Sequence, residues 1–342
     1  MAILRASAGE LQPLSVATFS QIEIHKPYGG VVPEIASRNH LESMLPMLEM
    51  ALAEARIELK DVDAIAVTNR PGLVGALLVG VSTAKALAYS LEKPLVAVHH
   101  LEGHVASLFL ERKNGTAGIP LPMIVAIVSG GHTNLYLMKT TPELWPLDFL
   151  KRSLIGRSRD DAAGEAFDKT AKLLGFPYPG GVWIDQTAQK GGNPKAFDLP
   201  RALPQKDTLD FSFSGFKTAV SLTAQRLTRE GTLEERLPDL CASIQEGIVD
   251  ALLTKLQLAI RKYGAQSIAI VGGVAANSRL RSRLQAEWTS YGLAIEPLFP
   301  LSRYCTDNAA MIAAAGYYRY LQGYALRTPE FLTLNAIASP EV

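Results

Sequence analysis

Two histidines four residues apart, His100 and His104, stand in the stretch Val98-His-His-Leu-Glu-Gly-His104, ahead of the apolar-periodic residues Val105, Leu108 and Phe109. That periodicity predicts a helix. On one helix the two imidazoles share a face, one turn apart, and neutral imidazoles so placed can hold a single metal ion. They are two of only six histidines in 342 residues. Taken alone, the pair also fits the polar face of an ordinary surface helix. Glu102 is at i+2 from His100 and points to another face, so the order His-Leu-Glu-Gly-His does not suit the water activation of His-Glu-x-x-His peptidases. A third hard ligand is on offer in Tyr304-Cys-Thr-Asp-Asn308, where Asp307 sits at a predicted helix start, although a lone carboxylate there is more often a cap. Two imidazoles and a carboxylate would leave open positions for substrate.

A second kind of chemistry is suggested by glycine turns after strands: Pro71-Gly-Leu-Val-Gly75, Ser129-Gly-Gly131 and Gly272-Gly273. Glycine lets backbone N–H groups approach a phosphate, and a following helix adds its positive end. Three such turns favour a nucleotide site. None has the Walker spacing or the Gly-x-Gly-x-x-Gly spacing of dinucleotide enzymes. Asp168 and Asp185 flank the loop Pro177-Tyr-Pro-Gly-Gly181 and could accept hydrogen bonds from ribose. Asp161 and Glu165 share the Asp168 helix face, which reads equally well as a solvated acidic face.

The elements that must position these groups alternate between short apolar strands and longer helices, the pattern of α/β architecture. Strands are predicted at 2–4, 14–19, 63–68, 95–98, 123–128, 134–138 and 267–271, the fifth and sixth joined as a hairpin. Helices are predicted at 38–57, from the 71–75 loop through Tyr89, at 161–174 with Gly175 past the end, at 246–263, and at 306–320 with Thr306 as N-cap. Leu41, Met44, Leu45, Leu48 and Leu52 mark one stripe of the first helix. Two successive strand-rich halves suggest a duplicated fold. Residues 1–120 are expected to form one lobe, completed by the helix at about 306–325, and residues 121–305 the other.

Composition narrows the class. With 34 basic and 33 acidic residues the net charge is +1, which argues against a nucleic-acid-coating protein but not against a local basic patch. From Ala251 to Ala286 there are six bases and no acids: Lys255, Arg261, Lys262, Arg279, Arg281 and Arg283. These could face phosphates or merely decorate a helix. Two cysteines make no disulfide framework, and no apolar run reaches the roughly 18 residues of a membrane span, so a cytoplasmic protein is expected.

Seven segments in order carry a resemblance: Tyr28-Gly-Gly-Val-Val-Pro-Glu34, His100 to His104, Val128-Ser-Gly-Gly-His-Thr133, Asp161-Ala-Ala-Gly-Glu-Ala-Phe-Asp-Lys169, Asp210-Phe-Ser-Phe-Ser-Gly215, Gly272-Gly-Val-Ala-Ala-Asn277 and Cys305-Thr-Asp-Asn308. From about Ser20 to about Leu321 the chain resembles the TsaD family, the tRNA N6-adenosine threonylcarbamoyltransferases once described as O-sialoglycoprotein endopeptidases. The resemblance implies a duplicated two-lobe fold like actin, Hsp70 and sugar kinases (ASKHA), with a central nucleotide cleft. It implies transfer of threonylcarbamoyl from threonylcarbamoyl-AMP to N6 of the adenosine 3′ of the anticodon in tRNAs reading ANN codons, with AMP released. It assigns a divalent metal, iron first and zinc second, to His100, His104 and Asp307. It assigns substrate contacts to Ile127, Val128, Ser129, Gly130, Gly131, Asp168, Gly181, Asp185 and Asn277. TsaB-like and TsaE-like protein partners are implied beside the tRNA. For the base that takes the N6 proton only His132 presents itself, and a structural turn histidine is the alternative.

Two departures stand out. The family usually opens with a strand and a phosphate-facing loop of the form Gly-Ile-Glu-Thr-Ser-Cys-Asp-Glu-Thr, whereas this sequence opens at what resembles the second strand. A sheet lacking that strand would expose an unpaired edge and lose phosphate contacts. Arg70 also replaces the usual Gly before Pro71, where a guanidinium could add a phosphate contact. A scaffold or regulatory subunit of the same complex, and a small-molecule kinase of the same fold, are the competing readings.

Overall fold

The computed structural model describes residues 1–7, 9–28, 30–201 and 208–339; Gly29 of the Tyr28–Glu34 segment lies outside them. In chain order the strands and helices are β1 (Ala2–Ser7), β2 (Glu10–Val16), α1 (Ile22–His25), α2 (Pro33–Ala55), β3 (Ile65–Arg70), α3 (Val74–Ser90), β4 (Leu95–His99), α4 (His100–Ala106), β5 (Met123–Val128), β6 (Thr133–Met138), α5 (Phe149–Ser153), β7 (Leu154–Arg157), α6 (Ala163–Leu173), α7 (Gly180–Ala188), α8 (Ser214–Glu230), α9 (Leu233–Tyr263), β8 (Ser267–Val271), α10 (Ser278–Glu287) and α11 (Ala309–Leu321). They divide into two units. One comprises residues 1–119, 140–152 and 300–342, and the other residues 120–139 and 153–299. No helix among the described residues is long and apolar enough to cross a membrane.

In the first unit β1 and β2 form an antiparallel hairpin and β3 and β4 a parallel pair, as two separate two-stranded sheets. Pairing of Ala2 with Val16 and Ser7 with Glu10 places β2 earlier than its apolar residues suggest. Among the described residues β1 and β3 each have one edge without a paired strand, and β3 is mostly half-buried rather than buried. α11 packs against all four strands and against α4. Tyr318 of α11 packs against Phe109 and Trp145, and Trp145 and Phe149 are stacked 4.2 Å apart.

α2 starts at Pro33, five residues before the expected Arg38. Proline is preorganised for the first helical turn, where its missing N–H is not needed. The apolar stripe of α2 is only partly covered, with Met44, Leu48 and Leu52 half-buried. Leu41 and Leu45 are 68% and 63% exposed, whereas Ala36 and Ala51 carry the buried contacts.

The second unit is built on one four-stranded sheet in the order β7-β6-β5-β8, with β5 antiparallel to β6 and parallel to β8. β5 and β8 are buried throughout, as continuous apolar strands between covered faces must be. Helix α9 begins at Leu233, well ahead of the expected Glu246, and accommodates Pro238 near its start. It packs along α7, α8 and α10.

Candidate functional site

The first unit brings His100, His104 and Asp307 together. β4 ends at His99, which becomes the N-cap of α4 by accepting from the Leu101 amide at 3.2 Å. The helix then presents His100 and His104 one turn apart, with ring centroids 4.8 Å apart. Asp307 Oδ1 lies 3.5 Å from His100 Nε2 and 3.3 Å from His104 Nε2. All three donor atoms fall within 4.8 Å of one another. Bonds of about 2.0–2.2 Å in a tetrahedral site separate ligand atoms by roughly 3.3–3.5 Å, so the two contacts to Asp307 have the span of a shared ion.

The donor chemistry also fits. His104 is wholly buried, and among the described residues neither ring nitrogen has a hydrogen-bond partner. A buried imidazole in that condition is costly unless another acceptor of its lone pair is present. Burial pushes the His100 pKa below its ordinary value, against the pull of Asp307, which favours the neutral imidazole that binds metals. Asp307 is 72% exposed, so the group is closed on the histidine side and open on the carboxylate side.

Packing of α4 on α11 sets this geometry. A Cβ on Gly103 would fall 2.7 Å from Ile312 Cδ1, so glycine permits the close approach of α4 to α11, the helix that Asp307 precedes. Glu102, 3% exposed, takes the Arg319 guanidinium of α11 on both carboxylate oxygens, with Nε to Oε2 at 3.0 Å. Its carboxylate is therefore occupied away from the histidines, which removes the general base a peptidase needs. Asn308, not Thr306, caps α11: its Oδ1 accepts from the Met311 amide at 2.9 Å and its Nδ2 donates to the Thr306 carbonyl at 2.8 Å. An extended Asn308 backbone holds Thr306 and Asp307 outside the helix. Arg70 pairs in register with His99, and its buried Nε has no hydrogen-bond partner among the described residues.

The remaining expected residues lie in the second unit. Ile127 and Val128 are buried inside β5. The turn after them is tied by the Ser129 amide to the His132 carbonyl at 2.8 Å and by the His132 amide to Ser129 Oγ at 3.2 Å. His132 is thus part of the turn's own framework. Gly130 and Gly131 have open space where a Cβ would be. Behind them the Gly164 amide donates to the Ser129 carbonyl, and Gly272, at φ +93°, lies so close that a Cβ would fall 2.5 Å from the Val128 oxygen. Gly75 serves packing instead: a Cβ there would strike Ser37 Oγ of α2 at 2.4 Å.

Asp168 accepts from the amides of Gly180 and Gly181 at 2.7 and 3.4 Å and so anchors the start of α7. Burial pushes its pKa up, and those two amides offset part of the rise. Asp185 accepts from Gln245 Nε2 at 2.8 Å and from the amide and hydroxyl of Ser278, joining α7, α9 and α10. Asn277 caps α10 by accepting from the Leu280 amide at 3.0 Å. Asp161 does not share the α6 face; it precedes the helix and pairs with Lys169 and Lys217. A Gly164→Ala substitution is expected to push the Ser129–Gly131 turn out of place, because its Cβ would fall 2.5 Å from the Ser129 oxygen. Overpacking of this kind costs about 1–3 kcal/mol, which a denaturant titration would read.

The basic run is largely consumed by structure. Arg279 and Arg283 pair with Glu246, and Arg283 also pairs with Asp250 and Glu287. The buried Lys255 donates to the Thr208 carbonyl at 2.8 Å, and Arg281 donates to the Ala275 carbonyl and lies over Phe299. Arg261 and Lys262 are left exposed.

The architecture is of the actin, sugar-kinase and ASKHA class, consistent with a TM-score of 0.53 to HypF of T. kodakarensis at 16% identity, over 84% of this chain and 44% of that one. The family pattern of tRNA N6-adenosine threonylcarbamoyltransferase, TsaD, matches residues 13–314. Relatives of that name are 49% identical over 93% of this chain in Moorella thermoacetica, covering 87% of the relative, and 50% identical over 89% in Syntrophobacter fumaroxidans, covering 86%. The chain belongs to the TsaD family: it is a transferase that acts in tRNA modification.

Proposed function

We propose that this enzyme transfers the threonylcarbamoyl group from threonylcarbamoyl-AMP to N6 of the adenosine 3′ of the anticodon, in tRNAs reading ANN codons, releasing AMP. Family membership together with the His100, His104 and Asp307 cluster carries this reading. The exocyclic amine is a weak nucleophile because its lone pair is delocalised into the ring, so the acyl carbon needs activation. His100, His104 and Asp307 would hold a divalent ion, iron or zinc, which when bound supplies Lewis acidity. The backbone amides around Gly130 and Gly131, where space is open, would steady negative charge on the departing phosphate. Asp168, Gly181, Asp185 and Asn277 would surround the adenylate. The target base lies in a single-stranded loop and can be splayed into a pocket.

The proposed partners, a TsaB-like protein and a TsaE-like ATPase, follow from the family, and the exposed Leu41 and Leu45 of α2 are apolar side chains a protein partner could cover. A tRNA substrate and two buried cysteines not joined in a disulfide agree with a cytoplasmic setting. The test is nucleoside mass spectrometry of unmodified tRNA after incubation with the protein, synthetic threonylcarbamoyl-AMP and the partners, before and after chelation. Threonylcarbamoyladenosine that disappears on chelation and returns with metal is the expected result. Full modification by the chelated enzyme would remove the metal from the reaction, and no modification under any condition would overturn the proposed donor or acceptor.

A further inference from the structure

We infer that Glu111 is a positioning residue for Asp307, tuning metal affinity without touching the metal; the inference rests on the metal reading above. Glu111 follows the short helix Ser107–Phe109 that continues α4 beyond His104. Its backbone is left-handed, at φ +58°, a conformation that favours glycine and strains a glutamate. The Glu111 amide donates to the Leu11 carbonyl at 2.8 Å, which locks the residue there. A side chain retained at a position suited to glycine points to a use for that side chain.

The carboxylate meets the segment that carries Asp307. Oε2 pairs with the Arg303 guanidinium and Oε1 accepts from the Tyr304 hydroxyl. Both residues belong to the short helix Ser302–Tyr304, which runs directly through Cys305 and Thr306 into Asp307. Tyr304 is 3% exposed and cannot shift without disturbing its neighbours. On the far side Asn308 ties the chain to α11. Asp307 is therefore held between two anchors, one of them reached from the end of the histidine helix. Groups bonded directly to a ligand commonly tune affinity by about 10- to 100-fold, and Glu111, which acts one step further out through the segment it anchors, belongs at the lower end of that range.

The test titrates the metal-free protein with Co²⁺ against a chromophoric chelator and records the visible cobalt bands. Glu111→Gly relieves the left-handed strain while deleting the clamp. It is expected to weaken Co²⁺ binding by about 10-fold or more and alter the bands, with the thermal midpoint of the metal-free protein unchanged. Glu111→Gln keeps an acceptor for Tyr304 and should recover most of the affinity. Wild-type affinity in Glu111→Gly would overturn the inference. Wild-type protein that takes up no Co²⁺ would overturn the metal reading and this inference with it. Should Glu111→Gly fail to fold, Tyr304→Phe decides: weakened Co²⁺ binding supports the clamp, and unchanged binding refutes it.

Discussion

His104→Ala is expected to leave the protein without tightly bound metal and without tRNA-modifying activity. The substitution deletes one of three donors whose atoms lie within 4.8 Å. Loss of a direct ligand should exceed the roughly 100-fold that changes in outer contacts produce. The variant should still fold, because among the described residues the imidazole has no hydrogen-bond partner for its loss to orphan. Its cavity costs roughly 2–4 kcal/mol, the range for truncating a buried side chain. Asp307→Asn, at an exposed position, should give the same metal phenotype with no cost in stability. Elemental analysis after dialysis, run beside nucleoside mass spectrometry, checks both. A full complement of metal in His104→Ala would refute the ligand assignment.

Arg319→Met is expected to destabilise the first unit by about 3–5 kcal/mol, because it strands a buried carboxylate. Glu102 and Arg319 are 3% and 4% exposed, so solvent screens this pair little. Burial already pushes the Glu102 pKa up, and the Arg319 guanidinium is the main force opposing that rise. With Arg319 gone, the folded-state pKa climbs further above the unfolded value of about 4.3. The folded state then binds the extra proton, so the variant loses stability as pH rises from the unfolded pKa towards the raised one. Its deficit against wild type should be smaller at pH 5 than at pH 8, measured by urea unfolding. A deficit that does not change with pH would show that Glu102 stays ionised without its partner. The double replacement Glu102→Leu with Arg319→Met should recover much of the loss, since no buried charge is left unpaired.

His100 and His104 were legible because four-residue spacing on a helix is a local property, whereas Asp307 was on offer only as a carboxylate at a helix start, equally a cap, until the resemblance singled it out, because tertiary packing is what brings it near. The basic run misled for a reason visible in its limits. The interval Ala251–Ala286 begins one residue after Asp250 and stops one residue before Glu287, and both acids pair with Arg283. Counting charge in a window cannot see partners just outside it or on a neighbouring helix. Asp185 and Asn277 read as polar residues beside glycine loops, and both are also structural: one joins three helices and the other caps α10. Glu111 gave no sequence signal at all, because a left-handed glutamate looks like any other. The observed α2 and α9 start earlier than expected, at Pro33 and Leu233; Pro33 occupies the first helical position, where its missing N–H is not needed, whereas Pro238 lies within α9.

The dependence of β1 to β4 on α11 also orders events at the ribosome. The helix that covers these strands is made after nearly all of the rest of the chain. At ordinary elongation rates the roughly 200 residues between β4 and α11 take on the order of 10–40 s to synthesise. Throughout that interval the nascent strands expose their apolar face and unpaired edges, while the whole sheet of the second unit emerges in one continuous stretch after them apart from a brief excursion. Strands β1 to β4 therefore wait for their covering helix, whereas every strand of the second unit's sheet is synthesised before α11.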